Sequence, residues 1–136
     1  MAGYSDTPLW KKLGIGPGER VLTQGAPAEY GDWLAPLPPD VTVSARLRPP
    51  VDIIHAFVTK EADLVRLLAE RRFDFAETGA LWISWPKKSS RMATEVTEDV
   101  IRRHALPLGL VDIKVCAVSD IWSGLKLVVR KELRKR

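Results

Sequence analysis

Few side chains in this sequence are of types that act as base, nucleophile or metal ligand. There are two histidines, His55 and His104, one cysteine, Cys116, and carboxylates of which Asp52 and Asp120 stand near element ends. His55 lies inside a nearly continuous apolar run, Ile53 to Val58, so it reads as a buried, hydrogen-bonded core histidine rather than a general base. His104 follows Arg102 and Arg103 near a helix end, where the helix dipole favours imidazolium without catalytic meaning. Cys116 sits in mid-strand, and a buried thiol is an inert small hydrophobe unless its setting is electropositive and partly exposed. Asp52 begins a strand and reads as a turn or cap residue. One cysteine and two histidines leave no zinc-type ligand spacing, and there is neither a Walker glycine-lysine loop nor a metal-binding helix motif. No catalytic residue, metal or cofactor is assigned on these grounds.

The elements that would position these groups alternate strand and helix. Thr7 and Pro8 suit the cap and first turn of a short helix over Leu9, Trp10 and Leu13, closed by Gly14. After Gly16, Pro17 and Gly18, a first strand runs from Arg20 to Gln24 and ends at Gly25. Ala28 to Leu34 reads as a brief helical segment stopped by Pro36, Pro38 and Pro39, and Val41 to Leu47 as a β-branched strand. Val51 to Val58 has the continuous apolar character of a parallel strand covered on both faces. Leu64, Leu67 and Leu68 recur at helical spacing between Glu61 and about Phe75, giving strand, helix, strand. Gly79 begins another strand over Ala80 to Trp85. A helix follows, capped by Thr97 and stopped by Pro107 and Gly109, and then two antiparallel strands, Val111 to Val118 and Leu125 to Arg130.

These 136 residues suit one domain with a core that needs no disulfide or metal. Usage of 46% hydrophobic and 28% charged residues is ordinary globular composition. The lone cysteine points to a reducing compartment, Met1 to Lys12 lacks the order of a signal peptide, and no run approaches membrane-span length. A soluble, cytoplasmic protein with no membrane partner is expected. Part of the net charge of +4 comes from Arg130, Lys131, Arg134, Lys135 and Arg136. This tail reads as solvated, and without interleaved aromatic residues nucleic-acid binding is disfavoured.

The stretch Leu13-Gly14-Ile15-Gly16-Pro17-Gly18-Glu19-Arg20-Val21-Leu22 resembles the approach to the first strand of S-adenosylmethionine-dependent methyltransferases with a Rossmann-like sheet. Ala76-Glu77-Thr78-Gly79-Ala80-Leu81-Trp82-Ile83 is similar to that family's strand after a glycine turn, and Leu110 to Arg130, turning at Trp122-Ser123-Gly124, to its closing strand pair. The resemblance implies an α/β, three-layer Rossmann-like sheet of about six strands, mostly parallel with a C-terminal antiparallel pair. Over nearly its whole length the chain is more similar still to the DUF3052 family of small bacterial proteins of unknown function. The motifs that carry this are Tyr4-Ser5, Thr7-Pro8-Leu9, Lys11-Lys12-Leu13-Gly14-Ile15, Trp85-Pro86-Lys87-Lys88, Thr97-Glu98-Asp99-Val100, Val115-Cys116-Ala117-Val118 and Trp122-Ser123-Gly124-Leu125-Lys126. That likeness implies no activity.

A Rossmann-like cofactor loop needs glycines, so that bare backbone can approach the ligand before a helix. Only Gly25 is present. Pro27 lacks an N–H donor, Glu29 adds bulk and negative charge, and Arg46 and Arg48 occupy the region where an acidic residue would bind ribose hydroxyls. Methyltransferase activity is therefore disfavoured. Ligands of open α/β sheets sit beyond the carboxyl ends of the parallel strands. With the implied topology that rim presents Gln24 and Gly25, Arg46 and Arg48, Thr59 and Lys60, then Trp85, Lys87, Lys88 and Ser89, joined by Asp120, Trp122 and Ser123. Its cations and aromatic rings suit an anionic or phosphorylated small molecule. Solvated lysines with Trp85 capping the core is the plainer alternative. The leading expectation is a non-catalytic binding or interaction module, with a small-molecule or protein partner. An enzyme on an anionic metabolite, with Asp120 as the nearby base, and nucleic-acid association are the alternatives.

Overall fold

The structure is a computed structural model that describes residues 7–134. Tyr4, Ser5, Lys135 and Arg136 lie outside the described residues. The elements, in chain order, are α1 (Leu9–Leu13), β1 (Arg20–Gln24), α2 (Tyr30–Leu34), β2 (Thr42–Ser44), β3 (Val51–Phe57), α3 (Glu61–Arg71), β4 (Phe75–Pro86), α4 (Glu98–Ala105), β5 (Leu110–Ala117) and β6 (Trp122–Val129). Single 3-10 turns follow β4, α4 and β6. One six-stranded sheet has the order β2-β1-β3-β4-β6-β5. β1 to β4 run parallel, while β6 lies antiparallel between β4 and β5. The mostly parallel α/β sheet with a C-terminal antiparallel pair is thus the observed fold, and β6 is its one reversed strand.

Strand alternation feeds two cores. Ile54, Leu81 and Ile83 point toward α3 and α4, where Leu64, Leu67, Leu68 and Ile101 cover them. Ile53, Phe57 and Trp82 point the other way, beneath Leu9, Leu13, Tyr30 and Leu34 of α1 and α2. Each fully buried large side chain is worth about 1.5–3 kcal/mol of transfer free energy, so the central strands tie both layers together. α1 and α2 have five residues each, far below the length at which a helix stands alone, and packing holds them in place.

Several boundaries differ from those read in the sequence. Pro8, rather than Thr7, is the residue before α1, and no side chain caps that helix. β2 is only Thr42–Ser44, because the chain leaves the sheet edge once β1 is paired at three positions. α3 ends at Arg71, and Phe75, expected at its end, instead begins β4 by pairing with Val51. β4 therefore starts before Gly79 and passes through an irregularity opposite Val51 and Ile53. A Cβ at Gly79 would stand 2.0 Å from the Asp52 carbonyl oxygen, so the glycine marks a bulge, not the beginning of the strand. Trp122, expected in a turn, is the first residue of β6. Thr97 caps α4 as expected, its side chain accepting from Val100 N at 3.3 Å.

Candidate binding rim and the closed turn after the first strand

The carboxyl ends of β1, β3 and β4 and the start of β6 meet on one edge. Gln24 pairs with Ala56, Phe57 with Ser84, and Pro86 with Trp122. The Lys87 N–H donates to the Ile121 carbonyl at 2.7 Å, and Glu95 N–H donates to the Thr59 carbonyl at 2.8 Å, folding the loop after β4 over the end of β3. Lys60, Lys88, Ser89 and Asp120 are exposed along this edge, and Lys87 is half-buried. Arg46 is exposed just past β2, with its N–H donating to Ser44 Oγ at 3.0 Å.

Three rim residues are placed differently from expectation. Trp85 is 8% exposed and belongs to the core under α3 and α4, so it offers no wall to a ligand. Arg48 lies at the opposite edge, where its carbonyl and that of Pro50 accept both Nη groups of Arg20 at the start of β1. The chain has by then turned back to begin β3. The Gln24 side-chain oxygen accepts from Arg71 Nε at 3.1 Å and is engaged within the protein. Trp122 is half-buried, edge-on to Phe57 at 5.1 Å.

The segment after β1 closes onto the sheet. Gly25 takes φ +71°, and a Cβ there would stand 2.9 Å from the Phe57 carbonyl oxygen. Its glycine character thus serves a left-handed turn and a close approach to β3. Tyr30 N–H donates to the Pro27 carbonyl at 3.0 Å, turning the chain into α2 and sending the Tyr30 ring inward. The Tyr30 hydroxyl lies 2.8 Å from His55 Nδ1, and His55 Nε2 lies 2.8 Å from Ser84 Oγ. His55 and Ser84 are fully buried. The imidazole stacks on Phe57 at 4.4 Å, while Tyr30 meets both rings edge-on.

A serine, histidine and tyrosine in one chain resemble catalytic machinery, but their burial leaves no surface for a substrate. Burial lowers the His55 pKa from 6.5 to about 3 and raises that of Tyr30, so both stay neutral. In the neutral ring one nitrogen donates and the other accepts, and hydroxyls on both sides complement either tautomer. The unfolded chain protonates His55 near pH 6.5, whereas the folded chain resists down to about pH 3. The contribution of the neutral ring is whole above that window and is lost as pH falls through it, by up to about 1.4 kcal/mol per pH unit. Urea midpoints measured from pH 7 to pH 4 are expected to fall in wild type, with a shallower fall in a His55→Leu variant.

This geometry does not fit an adenosyl cofactor. The one glycine of the turn is packed against β3, Pro27 supplies no donor, and Tyr30 is held down on the sheet where a glycine loop would leave backbone open. The end of β2 carries Arg46 in place of a carboxylate. A groove of about 230 Å³ opens elsewhere, at the other end of the strands, among Glu19, Asp52, Glu77 and Lys126. Two of its carboxylates already serve the fold, Glu19 accepting from Gly16 N at 2.6 Å and Asp52 from Arg20 N at 2.8 Å.

The other histidine and the cysteine stand apart from this chain of hydrogen bonds. His104 Nε2 lies 2.6 Å from Glu61 Oε2, which links α4 to α3, and this hydrogen bond leads the effects holding Glu61 below the usual carboxylate range. Burial pushes the Cys116 thiol up, with Lys12 and Lys114 pulling the other way, so the thiolate is disfavoured. Among the described residues no group of three or more histidine, cysteine or carboxylate side chains could hold a metal ion, and no helix is long and apolar enough to cross a membrane. The sequence reading missed the roles of Tyr30 and Ser84. Its available signal was two polar residues, His55 and Ser84, in otherwise apolar central strands, which must find each other or a third partner.

No family model matches the chain, and no curated protein matches it. Solved structures do. It is similar to an S-adenosylmethionine-dependent methyltransferase from Aquifex aeolicus (TM-score 0.63, 16% identity, 89% of this chain and 88% of that one). Fibrillarin from Aeropyrum pernix, solved with natively bound S-adenosyl-L-methionine, is similar over 93% of this chain and 70% of that one (TM-score 0.59, 16% identity). A methyltransferase from Pyrococcus furiosus is similar over 88% and 78% (TM-score 0.54, 14% identity). At these identities the likeness is one of fold: the chain has the Rossmann-like architecture of the S-adenosylmethionine-dependent methyltransferases.

Proposed function

We propose that the chain is a non-catalytic binding or interaction module on a degenerate methyltransferase-like fold, a cytoplasmic protein of the DUF3052 type. The observation that carries this reading is the Tyr30–His55–Ser84 chain, which ties the segment after β1 to β3 and β4. Opening a cofactor cradle there would strand two or three buried polar groups, each costing about 1–3 kcal/mol. The half-buried Cys116 thiol and the motifs quoted above support the compartment and the family.

A second reading, an anionic or phosphorylated small molecule at the rim, is favoured by the exposed Lys60, Lys88 and Ser89 at the ends of β3 and β4. One screen separates the two. In a thermal-shift series with S-adenosylmethionine, S-adenosylhomocysteine, nucleotides and phosphorylated metabolites, the module reading expects no rise in melting temperature with either adenosyl compound, because only a ligand of the native state stabilises it. A rise with either adenosyl compound would defeat that reading. A rise with an anion that disappears in Lys60→Ala/Lys88→Ala would establish the second.

A further inference from the structure

The edge opposite the rim carries an apolar cluster that the fold leaves uncovered. Three segments meet there: the turn from α3 to β4, the 3-10 turn Leu106–Leu108 after α4, and the 3-10 turn Lys131–Leu133 after β6. They are joined through Gly109. The Arg130 N–H donates to the Gly109 carbonyl at 2.9 Å, and Arg72 Nε donates to the Leu108 carbonyl. A Cβ at Gly109 would stand 2.5 Å from Leu133 Cδ1 and 3.3 Å from Arg72 Nη2. Phe73 is 81% exposed, with the Arg72 guanidinium 4.5 Å from its ring centre. Leu106, Leu108 and Leu133 are exposed as well. Leaving an aromatic ring and three leucines in water forgoes burial, and Phe73, at 81%, is the most exposed large apolar side chain among the described residues.

The charges around the cluster say what kind of surface covers it. Arg72, Arg130 and Lys131 flank it, against Glu132 in the same turn and Glu77, which acts on Arg72 through its charge. Asp74, next along the chain, is paired with Arg71 at 2.9 Å. A second copy of this chain would bring like charges together, and the net charge of +4 opposes that contact throughout. Arg72 is held by the Leu108 carbonyl and the Phe73 ring, so its fork is preorganised for a carboxylate. The leucines are only partly exposed, forming a shallow face beside the one prominent ring, which suits anchor side chains better than insertion into a lipid layer.

We propose that this edge docks an acidic protein segment, its apolar anchors on Phe73, Leu108 and Leu133 and its carboxylates toward Arg72, Arg130 and Lys131. This deepens the interaction-module reading and rests on it. The test is a selection of peptides from a random twelve-residue library on the full chain, followed by affinity measurement of the enriched peptides. Enrichment of aspartate and glutamate around phenylalanine, leucine or tryptophan is expected. Affinity for those peptides should fall about tenfold in Phe73→Ser and in Leu133→Ser, and markedly in Lys131→Glu, all three variants keeping the wild-type melting temperature within a few degrees. Peptides without an acidic and apolar consensus, or unchanged affinity in Phe73→Ser, would overturn the proposal. So would Phe73-dependent sedimentation with phosphatidylserine vesicles in place of peptide binding, which would assign the edge to a membrane. A bound adenosyl compound would defeat the module reading while leaving a Phe73-dependent peptide in place, so the two failures are distinguishable.

Discussion

Replacing His55 with leucine is expected to destabilise the fold by about 3 kcal/mol, because two buried hydroxyls lose their shared partner at once. Tyr30 Oη and Ser84 Oγ each lie 2.8 Å from a ring nitrogen of His55, and all three residues are buried. The triple variant Tyr30→Phe/His55→Leu/Ser84→Ala is expected to recover most of that loss, since removing all partners together leaves no orphan. Urea unfolding of the two variants beside wild type measures both effects. A single variant within about 0.5 kcal/mol of wild type would show that the chain of hydroxyls and imidazole does not pin α2.

Alanine at Gly79 is expected to cost about 3 kcal/mol, at the upper end of overpacking. Its Cβ would meet the Asp52 carbonyl oxygen at 2.0 Å and the Ala76 carbonyl oxygen at 3.2 Å, both backbone atoms that no rotamer change can move aside. Asp52 in turn holds β1 through its side chain on Arg20 N, so a shift at the bulge is felt across three strands. Gly31, in α2 with nothing within 4 Å of its Cβ position, is the control. Alanine there is expected to be neutral or to stabilise by about 0.5–1 kcal/mol. Equal effects at the two glycines in thermal melts would contradict the assignment of Gly79 to a bulge.

Much of the fold was legible because its signals are local. The run at Ile53 to Phe57 could only be a strand covered on both faces, and Thr97 with Glu98 and Asp99 marks a helix start whatever surrounds it. The two edges were less legible. β2 is short because pairing with β1 decides its length, and the first half of β4 reads as a turn until Phe75 is seen opposite Val51. At the rim, sequence order placed Gly25, Lys60, Lys87, Lys88 and Asp120 near strand ends, but it could not show that Trp85 faces the core or that Arg48 has already crossed to the far edge. The closed turn was half legible. Pro27 and Glu29 spoil a cofactor loop by their chemistry alone, whereas the replacement, Tyr30 seated on His55, depends on a contact across 25 residues. The apolar edge at Phe73, Leu108 and Leu133 was invisible for the same reason, since three separate turns build it.

In the proposed module the segment from Gly25 to Tyr30, closed onto β3 and β4, excludes an adenosyl cofactor. Titration of S-adenosylmethionine into the isotope-labelled protein, followed by the backbone amides of Gly25, Tyr30 and Ser44, tests it most directly. Amide positions are expected to stay unchanged up to about millimolar ligand, which places any affinity weaker than about −4 kcal/mol. Saturable shifts at Gly25 and Tyr30 at micromolar ligand would contradict it.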